Sequence, residues 1–199
     1  MLAQKERTLV MIKPDGVQRS LVGEIISRFE RVGLKFIAMK MFIPTKKQVI
    51  EQYGPNKQEI EALGKRSIDN QAKLGVEIKE TPLEQGTKIF NAMKKYMTSG
   101  PVIAMVLEGN QAVGVVRKIV GATEPLSSDV GTIRGDFTIE SYGIADMDGR
   151  AVRNLIHRSG SVEEAKREIK IWFEEKELLN YRLISESILY DVNLDGILE

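Results

Sequence analysis

At 199 residues the chain is long enough for one domain with its own core, and nothing in its composition demands two. Lys and Arg total 29 against 28 Asp and Glu, so a formal charge of +1 supplies no global basic field for nucleic acid or an anionic membrane, and any anion binding has to be local. The absence of cysteine excludes disulfides, thiolate metal sites and a cysteine nucleophile; with no signal peptide or membrane span at the N-terminus, the expectation is a cytoplasmic protein.

Thr8 to Ile12 is a continuous apolar run predicted to form a buried strand, halted by a turn at Lys13-Pro14-Asp15-Gly16. Leu21 to Val32 spaces Val22, Ile25, Ile26 and Phe29 as one face of a helix with Gly33 at its C-cap. A second strand is predicted over Leu34 to Ile43. Thr45 and Gln48 then form a capping box opening a short helix that carries Tyr53 before Gly54-Pro55. Asn56 to Lys88 reads as a polar, partly helical inserted arm, followed by a helix over Ile89 to Met97, a strand over Val102 to Leu107 and a helix over Gln111 to Val120. The loop after that helix, Gly121 to Phe137, is too long and turn-rich for a simple connector, and it holds Arg134 between glycines. Thr138 to Gly149 is a second polar excursion. It ends in Asp146-Met147-Asp148-Gly149, which fits a hairpin turn better than a calcium loop because the ligand spacing is incomplete.

The chain has one histidine, His157, after the strand-like pair Leu155-Ile156 and ahead of Ser161-Val162-Glu163-Glu164, a capping box. It is expected in the loop before that helix, whose N-terminus favours anions. Glu168 borders the helix's apolar face and needs a partner there. If it reached one imidazole nitrogen, the other would be left as a nucleophile; read alone, the pair fits better an ordinary polar residue at a strand end and a flanking carboxylate. The apolar residues of the tail, from Leu179 to Ile197, must bury against this domain or against another subunit, the latter being favoured.

Lys13-Pro14-Asp15-Gly16-Val17-Gln18-Arg19, the stretch Gly131 to Phe137 (GTIRGDF) and the N-x-x-H of Asn154 and His157 together resemble the nucleoside diphosphate kinases, in the family's order and over about two-thirds of the chain. The resemblance implies an α+β, ferredoxin-like domain: a four-stranded antiparallel sheet with helices packed on it, spanning 1–199, with insertions at about 56–88 and 138–150 and an extension from about 178. It implies transfer of the γ-phosphoryl group of a nucleoside triphosphate to a nucleoside diphosphate through phospho-His157, with Mg²⁺ carried by the nucleotide phosphates and no direct protein ligand. Tyr53, Ser159 and Glu168 would support the histidine. Lys13 and Asn154 would contact sugar hydroxyls and phosphates, Arg117, Thr123 and Arg134 the phosphate chain, and Ile89, with Phe90 adjacent, would face the base. A homo-oligomer, hexamer or tetramer, is implied as well, with ATP, GTP and other nucleotides as partners and neither membrane nor nucleic acid.

The chain departs from that family where H-[GA]-S-D becomes His157-Arg158-Ser159-Gly160, and where Ile89 stands in place of a phenylalanine. A second reading follows from these departures: a catalytically impaired nucleotide-binding or protein-interaction module with the same fold.

Overall fold

The computed structural model describes residues 5–54, 56–73 and 75–190. Four strands, β1 (Lys5–Ile12), β2 (Lys35–Phe42), β3 (Val102–Asn110) and β4 (Ile156–Arg158), form one antiparallel sheet in the order β2-β3-β1-β4. This is the expected ferredoxin-like α+β arrangement. Because side chains alternate along a strand, β1 feeds two cores. Val10 and Ile12 pack with Ile25 and Phe29 of α2 (Val22–Glu30) and Val116 and Val120 of α6 (Ala112–Val120). Leu9 and Met11 pack on the other face with Val49 of α3 (Lys46–Tyr53), Met97 of α5 (Pro82–Met97) and Ile169 and Trp172 of α9 (Val162–Trp172). Both faces are covered, which is why β1 reads as an unbroken apolar run instead of an alternating one.

The Thr45 capping box forms as expected, its hydroxyl accepting from the Gln48 amide at 3.2 Å. The arm is more regular than its polarity implies. It contains α4 (Lys57–Lys73), and α5 begins at Pro82, not Ile89, behind a second capping box at Thr81 and Glu84 that the sequence reading passed over. Gly64 and Gly86 let these two helices cross at backbone contact. A Cβ on Gly64 would stand 1.8 Å from the Pro82 carbonyl oxygen, and one on Gly86 1.9 Å from that of Ile60.

The second excursion is helical where a hairpin turn was expected. Ser141 caps α8 (Tyr142–Met147), Asp146 lies within it and accepts from Ser67 of α4 at 2.7 Å, and Asp148 pairs with Arg150. Buried Gln71 and Gln85 also donate to Ser67 Oγ, at 3.4 and 3.1 Å, so the two excursions are tied together through one hydroxyl. Between β1 and α2 lies α1 (Pro14–Gln18), and α7 (Ile133–Phe137) interrupts the long loop.

The tail returns along its own chain. Leu179 N donates to Ile37 O at 2.8 Å and the Tyr181 hydroxyl to Phe36 O at 2.7 Å, while Glu186 of α10 (Glu186–Leu189) bridges Lys5 and Lys35. Edge strand β2 supplies free backbone groups to this segment, while the apolar side chains of Leu179, Ile184, Ile188 and Leu189 stay exposed on it. Leu194 and Ile197 lie outside the described residues. Among the described residues no helix is long and apolar enough to cross a membrane.

Gly86→Ala is expected to push α4 off α5, at a cost of about 1–3 kcal/mol, lowering Tm and exposing residues 63–81 to limited proteolysis. Unchanged melting and cleavage would mean the helices do not approach this closely.

Candidate active site

Register decides what each side chain of β4 can reach. His157 pairs with Met11 and so faces α3 and α9, whereas Arg158, opposite Val10, faces α6. His157 is therefore in the strand itself, not in the loop before the helix. The ladder bonds Lys13 N to Leu155 O (2.8 Å) and Ser159 N to Leu9 O (3.1 Å) hold it there, with Ser159, Gly160 and Ser161 leading on to α9. Ser161 caps α9 by accepting from Glu164 N, but the Glu164 carboxylate takes Gly160 N at 2.7 Å, so the expected reciprocal box is only half made.

Leu155, immediately before β4, is fully buried with φ at 65°, a left-handed backbone rare for a branched side chain. Asp15 holds it in place. One carboxylate oxygen accepts from Leu155 N at 3.1 Å and the other from the Tyr96 hydroxyl. Gly16 permits the approach, since a Cβ would lie 3.0 Å from Leu155 O and 2.7 Å from Ile12 Cγ2. The Lys13-Pro14-Asp15-Gly16 segment, expected as a turn, is thus the start of α1, with Pro14 at its first position, and the brace beneath β4.

Residues 157 and 159 share a strand face, and Glu168, one turn from the C-terminal end of α9, meets both. Its Oε2 accepts from His157 Nε2 at 3.0 Å and from the Ser159 hydroxyl at 2.6 Å, while Oε1 accepts from the Gln52 amide. The Trp172 indole N–H donates to Gln52 Oε1 at 2.8 Å, which fixes the amide with its nitrogen toward Glu168. Burial alone would raise the Glu168 pKa, but the contacts with His157, Ser159 and Gln52 outweigh it and hold the carboxyl below its ordinary value. With its Nε2 proton directed at Glu168, neutral His157 keeps a free lone pair on Nδ1. Tyr53 packs edge-on against the imidazole, ring centroids 5.3 Å apart, and its buried hydroxyl has no partner. Burial and then the Glu168 charge push that phenol up, so it remains a donor. Gln52 and Trp172 carried no signal in the sequence beyond their places on α3 and α9.

The remaining expected residues gather around the outer end of β4. Lys13 Nζ donates to Asn154 Oδ1 at 2.6 Å, and Asn154 Nδ2 to Thr123 O at 2.7 Å. Burial and the neighbouring Arg134 lower Lys13 to about 7 against the opposing pull of Asp15. Arg134 is 3% exposed and spends four of its five N–H groups on carbonyls: Asn154, Ile156, Gly121 and Ala122. Burial, then the charge of Arg158, lower it to about 10. Arg117 is exposed on α6, on the Arg158 side of the sheet. Ile89 lies apart from this group. Half-buried on α5, it lines a cavity of about 540 Å³ with Gln71, Gln85, Asp146 and Arg150, whose walls include neither His157 nor the residues bonded to it. Among the described residues no three His, Asp or Glu side chains converge as a metal site.

An imidazole with one nitrogen tied to a fixed carboxylate and the other left with its lone pair is arranged to take up a phosphoryl group, the chemistry of a phosphotransferase. The chain belongs to the nucleoside diphosphate kinase family, whose model matches residues 6–62 and 82–178 and leaves 63–81 unmatched. It is 48% identical to the nucleoside diphosphate kinase of Pyrobaculum aerophilum over 183 residues, covering 87% of this chain and 98% of that one. It is 40% identical to nucleoside diphosphate kinase A of Canis lupus familiaris, covering 96% and 100%. The crystal structure of the Pyrobaculum aerophilum NDP kinase superposes with a TM-score of 0.84 at 44% identity, covering 89% of this chain and 100% of that one. The Borrelia burgdorferi enzyme, described as a transition state mimic with bound vanadate and ADP, gives 0.75 at 35% identity, covering 94% and 97%.

Because the Glu168 carboxyl is held below its ordinary value of 4.5, its contribution to stability is complete above that pH and drains away as pH falls through the lower folded value. The stability gap between the protein and Glu168→Gln, from urea unfolding, is expected to be about 3 kcal/mol near neutrality and to shrink on acidification below 4.5. A gap that does not change with pH would mean the carboxylate's charge is not what the network depends on.

Proposed function

We propose that the protein transfers the γ-phosphoryl group of a nucleoside triphosphate, ATP and GTP included, to a nucleoside diphosphate in two steps, with His157 as the carrier. One observation carries this reading: His157 Nε2 donates to Glu168 at 3.0 Å, which leaves Nδ1 as the nucleophile. In the first step the Nδ1 lone pair forms the N–P bond while the bond from phosphorus to the β,γ-bridging oxygen breaks, and that oxygen departs with the diphosphate. Nε2 keeps its proton, and the positive charge developing on the ring is met by Glu168. In the second step a terminal oxygen of another diphosphate attacks phosphorus, and the N–P electron pair returns to Nδ1. No separate base is required.

Positioning and charge neutralisation then fall to the surrounding side chains. The Tyr53 hydroxyl, buried without a partner, is aimed to donate to the moving group. Lys13 and Asn154 hold phosphate and sugar oxygens, and Arg117, Thr123 and Arg134 the phosphate chain. Mg²⁺ fits as an ion borne by the nucleotide, since the oxygens of Glu168 already serve His157, Ser159 and Gln52 and one oxygen of Glu164 serves Gly160. When bound it would neutralise phosphate charge. Exposed Met39 and Met41 on β2, beside Ile43, and Val130 and Ile139 in the loops are the apolar surfaces a cytoplasmic homo-oligomer, tetramer or hexamer, would cover, and sedimentation velocity would read its size.

Incubation with γ-labelled ATP and Mg²⁺ followed by an alkaline quench is expected to leave label on the protein, discharged by added diphosphate and absent in His157→Ala. Nucleotide binding without labelling would overturn the reading. Lys13 supplies an independent check. Since it sits at about 7 in the empty site and a bound phosphate favours its charged form, ADP binding above that pH should take up as much as one proton. Calorimetry at about pH 8 in buffers of different ionisation enthalpy reads the uptake. It should vanish in Lys13→Met, and equal heats in all buffers would remove Lys13 from the phosphate site.

A further inference from the structure

Arg158 stands next to the nucleophile, where its charge has no evident structural use. Its side chain leaves β4 on the α6 face, with Ile156, while His157 leaves on the other. It is half-buried, and its Nε is shielded from solvent and bonded to nothing; the single contact of its guanidinium is Nη1 to Ser159 O at 3.3 Å. Among the described residues no carboxylate lies within 4.0 Å of Arg117, Arg134 or Arg158. Glu164, the acidic group whose charge is felt at Arg158, is already engaged with Gly160 N. Burial and the nearby Arg117 lower the pKa of Arg158, and Arg158 in turn lowers that of Arg134, so the three guanidiniums face one region. Three cations gathered with no carboxylate in contact repel one another, and an anion among them relieves that repulsion.

We propose that Arg158 is a third guanidinium contact of the nucleotide's phosphate chain, holding the phosphates that stay with the nucleoside diphosphate while His157 takes the terminal phosphoryl group. This rests on the function proposed above. The division of labour follows from the strand. Nδ1 works on the α3 and α9 side, and Arg158, with Arg117, on the α6 side of the same residues. The planar fork of arginine suits it to bind oxygens of a phosphate with two N–H groups together, and this guanidinium has only the one bond, from Nη1 to Ser159 O, to compete with them.

Two variants separate this from a packing role. Arg158→Met keeps most of the aliphatic stem and removes the fork, while Arg158→Lys keeps the charge without it. Calorimetric titration with ADP is expected to show Kd raised about tenfold in Arg158→Met, with a shallower dependence on salt and Tm unchanged or higher. Arg158→Lys should recover part of the affinity. In steady state KM for diphosphate should rise. Wild-type ADP affinity in Arg158→Met, or a fall in Tm with no change in Kd, would overturn the inference. A wild-type protein that binds ADP yet never labels His157 would overturn the proposed function instead, and the ADP titrations would still decide whether Arg158 touches phosphate.

Discussion

A carboxylate as deeply buried as Glu168 must have donors on both oxygens, and supplying them draws three separate parts of the chain to one point. Ser159 and His157 come from β4, Gln52 from α3, and Trp172, one turn beyond Glu168 on α9, locks Gln52. The Gln52 contacts span 116 and 120 residues of sequence, so the site exists only when α3, β4 and α9 are packed on the same face of the sheet. The core residues Leu9, Met11, Val49 and Ile169 perform that packing. Fold and chemistry meet in this network: the hydrophobic layer beneath it excludes water, and dryness makes both the Glu168 charge and the imidazole orientation decisive.

The other half of the site is built on a shortage. Arg134 gives four of its five N–H groups to carbonyls and is fixed, Lys13 is half-buried beside it, and among the described residues Arg117 and Arg158 have no carboxylate partner. Burial, and then the charge of Arg134, press Lys13 toward its neutral form in the empty protein. Fixed cations that await an anion require little reorganisation when it arrives, which is the condition for strong electrostatic stabilisation of a transferring phosphoryl group.

Sequence exposed the periodic and the polar parts of this design unevenly. Strands β1 and β3 and helices α2 and α6 were legible because apolar runs and 3.6-residue spacing report burial directly. The pairing of His157 with Glu168 was legible as a possibility, because a lone histidine and a carboxylate on an apolar helix face both lack partners. Gln52 was not, since a glutamine on a short amphipathic helix looks the same whether it is solvated or locked. Nor was the left-handed Leu155, whose strain is stored by tertiary contacts from Asp15 and Tyr96. Helix α4 was obscured by its composition: it holds its place through glycine contacts with α5 and a buried hydroxyl network instead of an apolar stripe.

The unsatisfied groups also explain why β4 ends the sheet. The ladder bonds at Lys13–Leu155 and Leu9–Ser159 alternate, so the Ile156 carbonyl turns away from β1 toward open space, where another strand would ordinarily be able to pair. Arg134 occupies that carbonyl at 2.6 Å. A strand edge closed by a buried guanidinium is not offered to another strand. The side chain that terminates the sheet is also the one that the proposed function sets beside the phosphate chain, and a neutral residue there would lose both properties together.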